Sequence, residues 1–520
     1  MRRELLIGAA LLITLTCSAH AQSLLYKLCG DDSGDGFGSA VSGAGDVNRD
    51  GYPDLVVGAP DRGPNPYPGA AFVYSGRDGT LLYLFEGRPG SYDGLGTSVG
   101  AAGDVNGDGW ADIIVGAADY YVTGAGNVGR AVVYSGRDGS ELLSMVGTHH
   151  QDGCGWAVSG IGDLTGDGHD DVIVGAPWTD DHGIDSGSAF VLSGTDGSVL
   201  FTVRGNSAGE MCGMSVYGAG DVNGDGRPDF IVGMPGGDRA VVYSGGDESV
   251  LFEFHGDRPG EFGWSVSGAG DINADDFADV IVGAPGASMA RVYSGRDGTV
   301  LHSIYGPGGG SWGYSVSGIG RIDGDAFDDF ALGNSVGPYV YVFSGRTGNL
   351  IYAVDGERSV SGAGDIDQDG FGDFIFGGTG CSPSGAAYVY SGVVHAAWSN
   401  YGAGRPGSNG IPSLTPNADP KLCTEIVLSV GNSRGSATPA VMLVGPSETE
   451  VPTIYGGELL VLFSVVFPLS LPSPGAALPV TLPCDSALVG ASGYLQVLEV
   501  DPGASKGVSF TAGLKLLLGR

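Results

Sequence analysis

Residues Gly45–Pro60 read GDVNRDGYPDLVVGAP. The first half alternates acidic or amide side chains with other residues around an Asp-Gly bend. The second half is a β-branched run that stops at Gly-Ala-Pro. The phrase returns as GDVNGDGWADIIVGAA from Gly103, GDLTGDGHDDVIVGAP from Gly162, GDVNGDGRPDFIVGMP from Gly220, GDINADDFADVIVGAP from Gly270, GRIDGDAFDDFALGNS from Gly320 and GDIDQDGFGDFIFGGT from Gly364. Self-similarity at such intervals is the signature of a repeat architecture.

Each unit reads as four short strands. In the first they are a stretch such as Ser39–Gly43, the run Leu55–Val57, Ala70–Tyr74, and Leu81–Phe85 after the turn Arg77-Asp78-Gly79. Bounded runs of Val, Ile and Tyr make strands, and Asp-Gly marks a hairpin. Seven such units predict an all-β fold, a seven-bladed β-propeller over residues 22–395. The opening Leu24–Leu28 matches a fourth strand, which the seventh unit lacks after Tyr390-Ser391-Gly392. The N-terminal segment is therefore expected to complete the last blade and to leave no open edge.

The loop D-x-N-x-D-G-x-x-D between the first two strands places oxygens at alternate positions of a tight bend, as calcium requires. Without a cation, its carboxylates would repel. Side chains at the first, third, fifth and ninth positions, with the carbonyl at the seventh, form the expected ligand sets. These are Asp46, Asn48, Asp50, Tyr52 and Asp54; Asp104, Asn106, Asp108, Trp110 and Asp112; Asp163, Thr165, Asp167, His169 and Asp171. The remaining sets are Asp221, Asn223, Asp225, Arg227 and Asp229; Asp271, Asn273, Asp275, Phe277 and Asp279; and Asp365, Asp367, Asp369, Phe371 and Asp373. In the sixth loop Arg321 takes the first position and Ala326 the Gly position. That loop is predicted empty, its guanidinium pairing Asp323, Asp325 or Asp329. About six Ca2+ ions with a structural role are expected. An EF-hand is excluded because its twelfth position needs Glu where Val57, Val115 and Val174 stand.

Formal net charge is −35, and lysine occurs only at Lys27, Lys421, Lys506 and Lys515. Nucleic acid is excluded as a partner, since phosphate contacts need clustered basic groups. Arg2 and Arg3, the apolar stretch Leu5–Leu15 and Ala19-His20-Ala21 predict a cleaved signal peptide over residues 1–21, hence a secreted or cell-surface protein. No transmembrane span is expected. Export suits the six cysteines that follow it. The favoured pairs are Cys29 with Cys381 and Cys423 with Cys484, with Cys154 and Cys212 buried and unpaired.

The repeats resemble the FG-GAP repeats of the integrin alpha-chain N-terminal propeller. Phe37-Gly38 and Phe262-Gly263 supply the FG; Gly58-Ala59-Pro60, Gly175-Ala176-Pro177 and Gly283-Ala284-Pro285 supply the GAP. The resemblance covers about residues 23–395 and implies calcium on one face and ligand recognition by loops of the other. Strand order agrees. The acidic loops and the Ser-Gly-Arg-Asp-Gly turns share one face, and the long loops Asp61–Gly69, Asp119–Arg130 and Trp178–Ser188 lie on the opposite one. Tyr67, Tyr120, Tyr121, Trp178, Asp180 and His182 are the candidate ligand-face residues.

The expected function is a calcium-binding recognition or adhesion module for an extracellular protein or glycan. The alternative is a carbohydrate-active or phosphoester-cleaving enzyme with a pocket on the long-loop face. No catalytic constellation stands out. Gly96–Gly100, Gly205–Gly209 and Gly431–Gly435 fit G-x-S-x-G without a strand–elbow–helix context, so no enzyme is expected. After the repeats, residues 396–422 read as a linker, and 423–520 as a smaller C-terminal β-sandwich-like domain with strands at Glu425–Val430, Ala440–Val444, Leu459–Phe467, Tyr494–Val500 and Leu514–Leu518.

Overall fold

The computed structural model describes residues 24–31, 33–65, 67–306, 311–323, 325–337, 339–378, 380–381, 384–392, 397–401, 404–418, 424–445, 447–453, 458–462, 465–473, 475–482 and 492–517. The signal-peptide assignment and the Cys423–Cys484 pair lie outside the described residues. Among the described residues there is no α-helix, only strands and two short 3₁₀ turns, at Pro235–Gly237 and Pro285–Ala287.

Residues 24–392 form one compact unit of seven four-stranded antiparallel sheets. In the first, Ala40–Gly45, Asp54–Ala59, Ala70–Tyr74 and Leu81–Glu86 pair in that order. The next five repeat the order, beginning with Leu95–Gly103, Ala157–Gly162, Ser215–Gly220, Ser265–Gly270 and Trp312–Gly320. In the last, Glu357–Gly364, Asp373–Gly378 and Ala386–Tyr390 are completed by Leu24–Cys29, as expected, and a disulfide joins Cys29 to Cys381.

The cores lie between the sheets, not within them. Every second strand is fully buried, apart from a half-buried last residue in the seventh sheet, and strand alternation sends its side chains both ways. Leu55 and Val57 pack with Leu28, Ile375 and Val389 of the seventh sheet, while Val56 packs with Ile113 and Val115 of the second. The same division recurs until the sixth and seventh sheets meet around Phe374 and Phe376. First strands also touch in a closed cycle, some through serines: the Ser215 hydroxyl accepts the Val266 N–H, and the Ser265 hydroxyl accepts that of Val316. The architecture is a β-propeller.

Two glycine positions explain the repeat's spelling. Its leading Gly sits at a bulge, with φ of 73° at Gly45 and similar values at Gly103, Gly162, Gly220, Gly270, Gly320 and Gly364. Only glycine adopts that turn cheaply. The Gly of Gly-Ala-Pro faces the next sheet: a Cβ on Gly175 would stand 2.0 Å from the Gly213 carbonyl oxygen. Cys154 and Cys212 take the Phe place of Phe-Gly, buried and free, as expected.

Residues 393–520 belong to a second compact unit. Glu425–Val430 pairs with Leu414–Pro416 and Ala476–Thr481; Thr438–Gly445 pairs with Val465–Leu471 and Ser492–Val500, the latter with Gly513–Leu517. Both sheets feed one core around Ile426, Leu428, Met442, Val497 and Leu516. The linker assignment for 396–422 is corrected in part. Ala397–Tyr401 pairs with Gly513–Leu517, and Leu414–Pro416 also lies in a sheet. The Gly, Pro and Ser content of the stretch belongs to the turns between these short strands. The single expected strand Leu459–Phe467 is two, Glu458–Leu462 and Val465–Leu471.

Candidate metal loops and recognition loops

The acidic loops leave the bulge at the end of each first strand. In the first, the Asp46 carboxylate accepts the N–H groups of Asp50 and Gly51, Asn48 accepts that of Asp50, and Asp50 accepts that of Tyr52, all at 2.9–3.1 Å. Asp104, Asn106 and Asp108 repeat the pattern, as do Asp221, Asn223 and Asp225, and Asp365, Asp367 and Asp369. Asp163 and Asp167 keep it in the third loop, where Thr165 donates to Asp163. Asp271 and Asp275 keep it in the fifth, with Asp276 at φ 69° in the Gly position. These bonds wind each loop tightly about its own side-chain oxygens.

The ninth-position aspartates have a role the sequence reading missed. Asp54 has no exposed surface. One oxygen accepts the Val47 N–H at 2.8 Å inside the loop, and the other accepts the Gly76 N–H at 3.0 Å in the turn between strands three and four. Asp112, Asp171, Asp229, Asp279 and Asp373 make the same clamp. So does Asp329 in the sixth sheet, through Ile322 and Gly345. Burial pushes Asp54, Asp112 and Asp229 up to about 6, and Asp279, Asp329 and Asp373 up to about 7, against the N–H bonds that pull them down. Neighbouring loop carboxylates push the same way as burial; a cation would oppose both.

The residues fit a hard cation. Carboxylate oxygens of Asp365, Asp367 and Asp373 lie within 4.8 Å of one another, the one such trio among the described residues. In the fifth loop the Asn273 Oδ1 is buried without a hydrogen-bond partner. Bound calcium would be held by the side chains at positions one, three, five and nine. The seventh-position side chains tie loops to their surroundings instead. Arg77 lies over Tyr52, Arg49 over Trp110 and Arg296 over Phe277, while His169 meets the Val105 carbonyl and Arg227 donates to that of Leu164.

In the sixth loop Arg321 offers no acceptor to the winding N–H groups. Its guanidinium pairs at 3.5 Å with Asp328, which corrects the expected partners Asp323, Asp325 and Asp329. Asp329 is committed to its clamp, and Asp328 also accepts the Asp271 N–H of the preceding sheet at 2.8 Å. Asp170 does the same for Asp104. An acid before the ninth-position Asp, at Asp170 and Asp328, was the available signal.

At the opposite ends of the strands the long loops part the recognition candidates. Tyr67 is exposed and meets Tyr92 edge-on. Tyr120 is half-buried beneath Arg88, 3.9 Å from its ring centroid. Arg88 pairs with buried Asp93 and donates to the Tyr121 carbonyl, leaving the Tyr121 ring exposed. Arg88 was not singled out, although Arg-Pro-Gly recurs at Arg258. Trp178 meets Trp156 at 4.6 Å and lines a cavity of about 300 Å³ with Asp119, Asn127, Gln151 and Asp185. Asp180 accepts the Asp185 N–H, and lines a different cavity. His182 is bound to the Gly205 carbonyl at 2.7 Å. The six candidates therefore form several small sites, not one.

Known proteins agree with this architecture. The FG-GAP repeat model matches residues 37–74, 95–134 and 262–302, and the FG-GAP-like repeat model matches 163–232. The chain carries FG-GAP repeats along its β-propeller. It is similar to integrin alpha-5 of Xenopus laevis, 33% identical over 193 residues, which is 34% of this chain and 18% of the relative. Integrin alpha-IIb of Mus musculus is 34% identical over 157 residues, 28% of this chain and 15% of the relative. Integrin alpha-E of Homo sapiens is 34% identical over 194 residues, covering 34% and 16%. The chain thus spans less than a fifth of these relatives. Among the described residues no helix is long and apolar enough to cross a membrane.

Proposed function

We propose that the chain is a calcium-loaded recognition module of the extracellular space, adhesive in role, which holds a protein or glycan partner with the long loops of its first three sheets. The acidic loops carry this reading: six of them wind backbone N–H groups onto a first-position carboxylate at the same place in successive sheets, in repeats similar to those of integrin alpha chains. The ions are structural. They offset the repulsion and burial of the loop carboxylates, so that each loop and the turn clamped to it stay rigid. The sheets so braced carry the long loops at their opposite ends, which present Tyr120, Tyr121 and Trp178 at low entropic cost.

The mature protein, screened against glycan and extracellular-protein arrays with calcium and with EGTA, tests this. Binding that needs calcium, and that falls at least tenfold in Trp178→Ala or Tyr121→Ala, is expected. Equal binding in both buffers, or binding indifferent to every long-loop substitution, overturns the reading.

A further inference from the structure

The second unit holds a buried acidic pocket outside every repeat. Glu499 and Asp501 lie two residues apart on the strand Ser492–Val500 and just beyond it, so they project to one side. Their exposures are 1% and 0%. Among the described residues neither forms an ion pair. Two carboxylates buried together need hydrogen-bond donors or a cation to offset lost hydration and mutual repulsion.

Donors fill part of the pocket: Glu499 Oε1 accepts the Ser433 N–H and Asp501 Oδ2 accepts that of Ser408. The Ser433 hydroxyl touches Glu499 Oε1, lies 3.3 Å from Asp501 Oδ2 and 2.9 Å from the Ser509 hydroxyl, which is itself 2.8 Å from Glu499 Oε1. Two hydroxyl protons serve four oxygen–oxygen contacts. Asp501 Oδ1 is filled by the Ser408 hydroxyl and the Gly503 N–H. Glu499 Oε2, by contrast, is buried with no hydrogen-bond partner.

We propose that Glu499, Asp501, Ser433 and Ser509 form a divalent-cation site for calcium in the C-terminal unit, independent of the propeller loops. All four supply hard oxygen ligands, with neither imidazole nor thiolate, which favours calcium over zinc. The ion supplies the partner that Glu499 Oε2 lacks, and it ties the strand Ser492–Val500 to the loop carrying Ser433.

Bound calcium, counted by atomic emission on the desalted full mature chain, tests this. Glu499→Gln with Asp501→Asn is expected to lose one ion per chain and to keep those of the propeller. Asp365→Asn with Asp367→Asn is the control for the loops and leaves the new site filled. An unchanged count in the Glu499/Asp501 variant overturns the proposal, whatever the loop control does. Should that variant not fold, wild-type crystals grown in excess manganese decide. An anomalous peak within coordination distance of Glu499 Oε2 and Asp501 supports the site; no peak there overturns it, whether or not the propeller loops are occupied.

Discussion

Asp329→Ala separates the clamp from the ion. The sixth loop has Arg321 where the others have a first-position carboxylate, yet Asp329 still accepts the N–H groups of Ile322 and Gly345 at 2.9 and 2.8 Å with no exposed surface. Removing the side chain strands two buried donors. Each such loss costs about 1–3 kcal/mol, and relief of the unfavourably buried carboxyl offsets part of it. We therefore expect a net loss of about 2–4 kcal/mol. Asp329→Asn keeps one acceptor and turns an amide N–H against the other donor, for a loss of about 1–3 kcal/mol. Urea unfolding in calcium and in EGTA gives the totals, and amide exchange at Ile322 and Gly345 gives the local effect. The loss is expected to be the same in both buffers. Asp54→Asn, in a loop with its full ligand set, is expected to lose more in calcium than in EGTA. An Asp329 variant within about 0.5 kcal/mol of wild type, or one whose loss vanishes in EGTA, would refute the clamp.

Three further outcomes follow from the same geometry. Arg321→Asp with Ala326→Gly restores the loop pattern and is expected to raise bound calcium by one ion per chain, read by atomic emission. Burial pushes the Cys154 thiol up to about 12 and the Cys212 thiol higher still, so iodoacetamide at pH 8 should label neither until the chain is unfolded. The ninth-position carboxyls are raised in the folded, metal-free chain, so it holds protons that the unfolded chain has released. Metal-free stability therefore falls as pH rises from the ordinary carboxylate range through about 6 to 7. Calcium binding at pH 6 should release protons, measurable by pH-stat.

The fold was legible because the repeat writes both of its periods in the chain. Each β-branched run such as Leu55-Val56-Val57 is too apolar for a one-sided strand, and its burial on two faces is what a ring of stacked sheets demands. The missing fourth strand of the last unit and the matching Leu24–Leu28 made closure readable too. The tail was less legible: its strands at 397–401 and 414–416 are short, lie between Gly- and Pro-rich turns, and gain their pairing from Gly513–Leu517 and Glu425–Val430, far away in sequence.

The acidic loops were legible as oxygen donors but not as parts of the scaffold. Spacing shows that Asp46, Asn48 and Asp50 share a bend; it does not show that Asp54 reaches Gly76 across 22 residues. The sixth repeat held the clue, because it keeps Asp329 while abandoning Asp at its first position. If the ninth position served the cation alone, nothing in that loop would need it. Its clamp explains why it remains, and places the loop's architecture ahead of any ion: hydrogen bonds from the backbone define the bend, and bound calcium would stabilise the charges already gathered there.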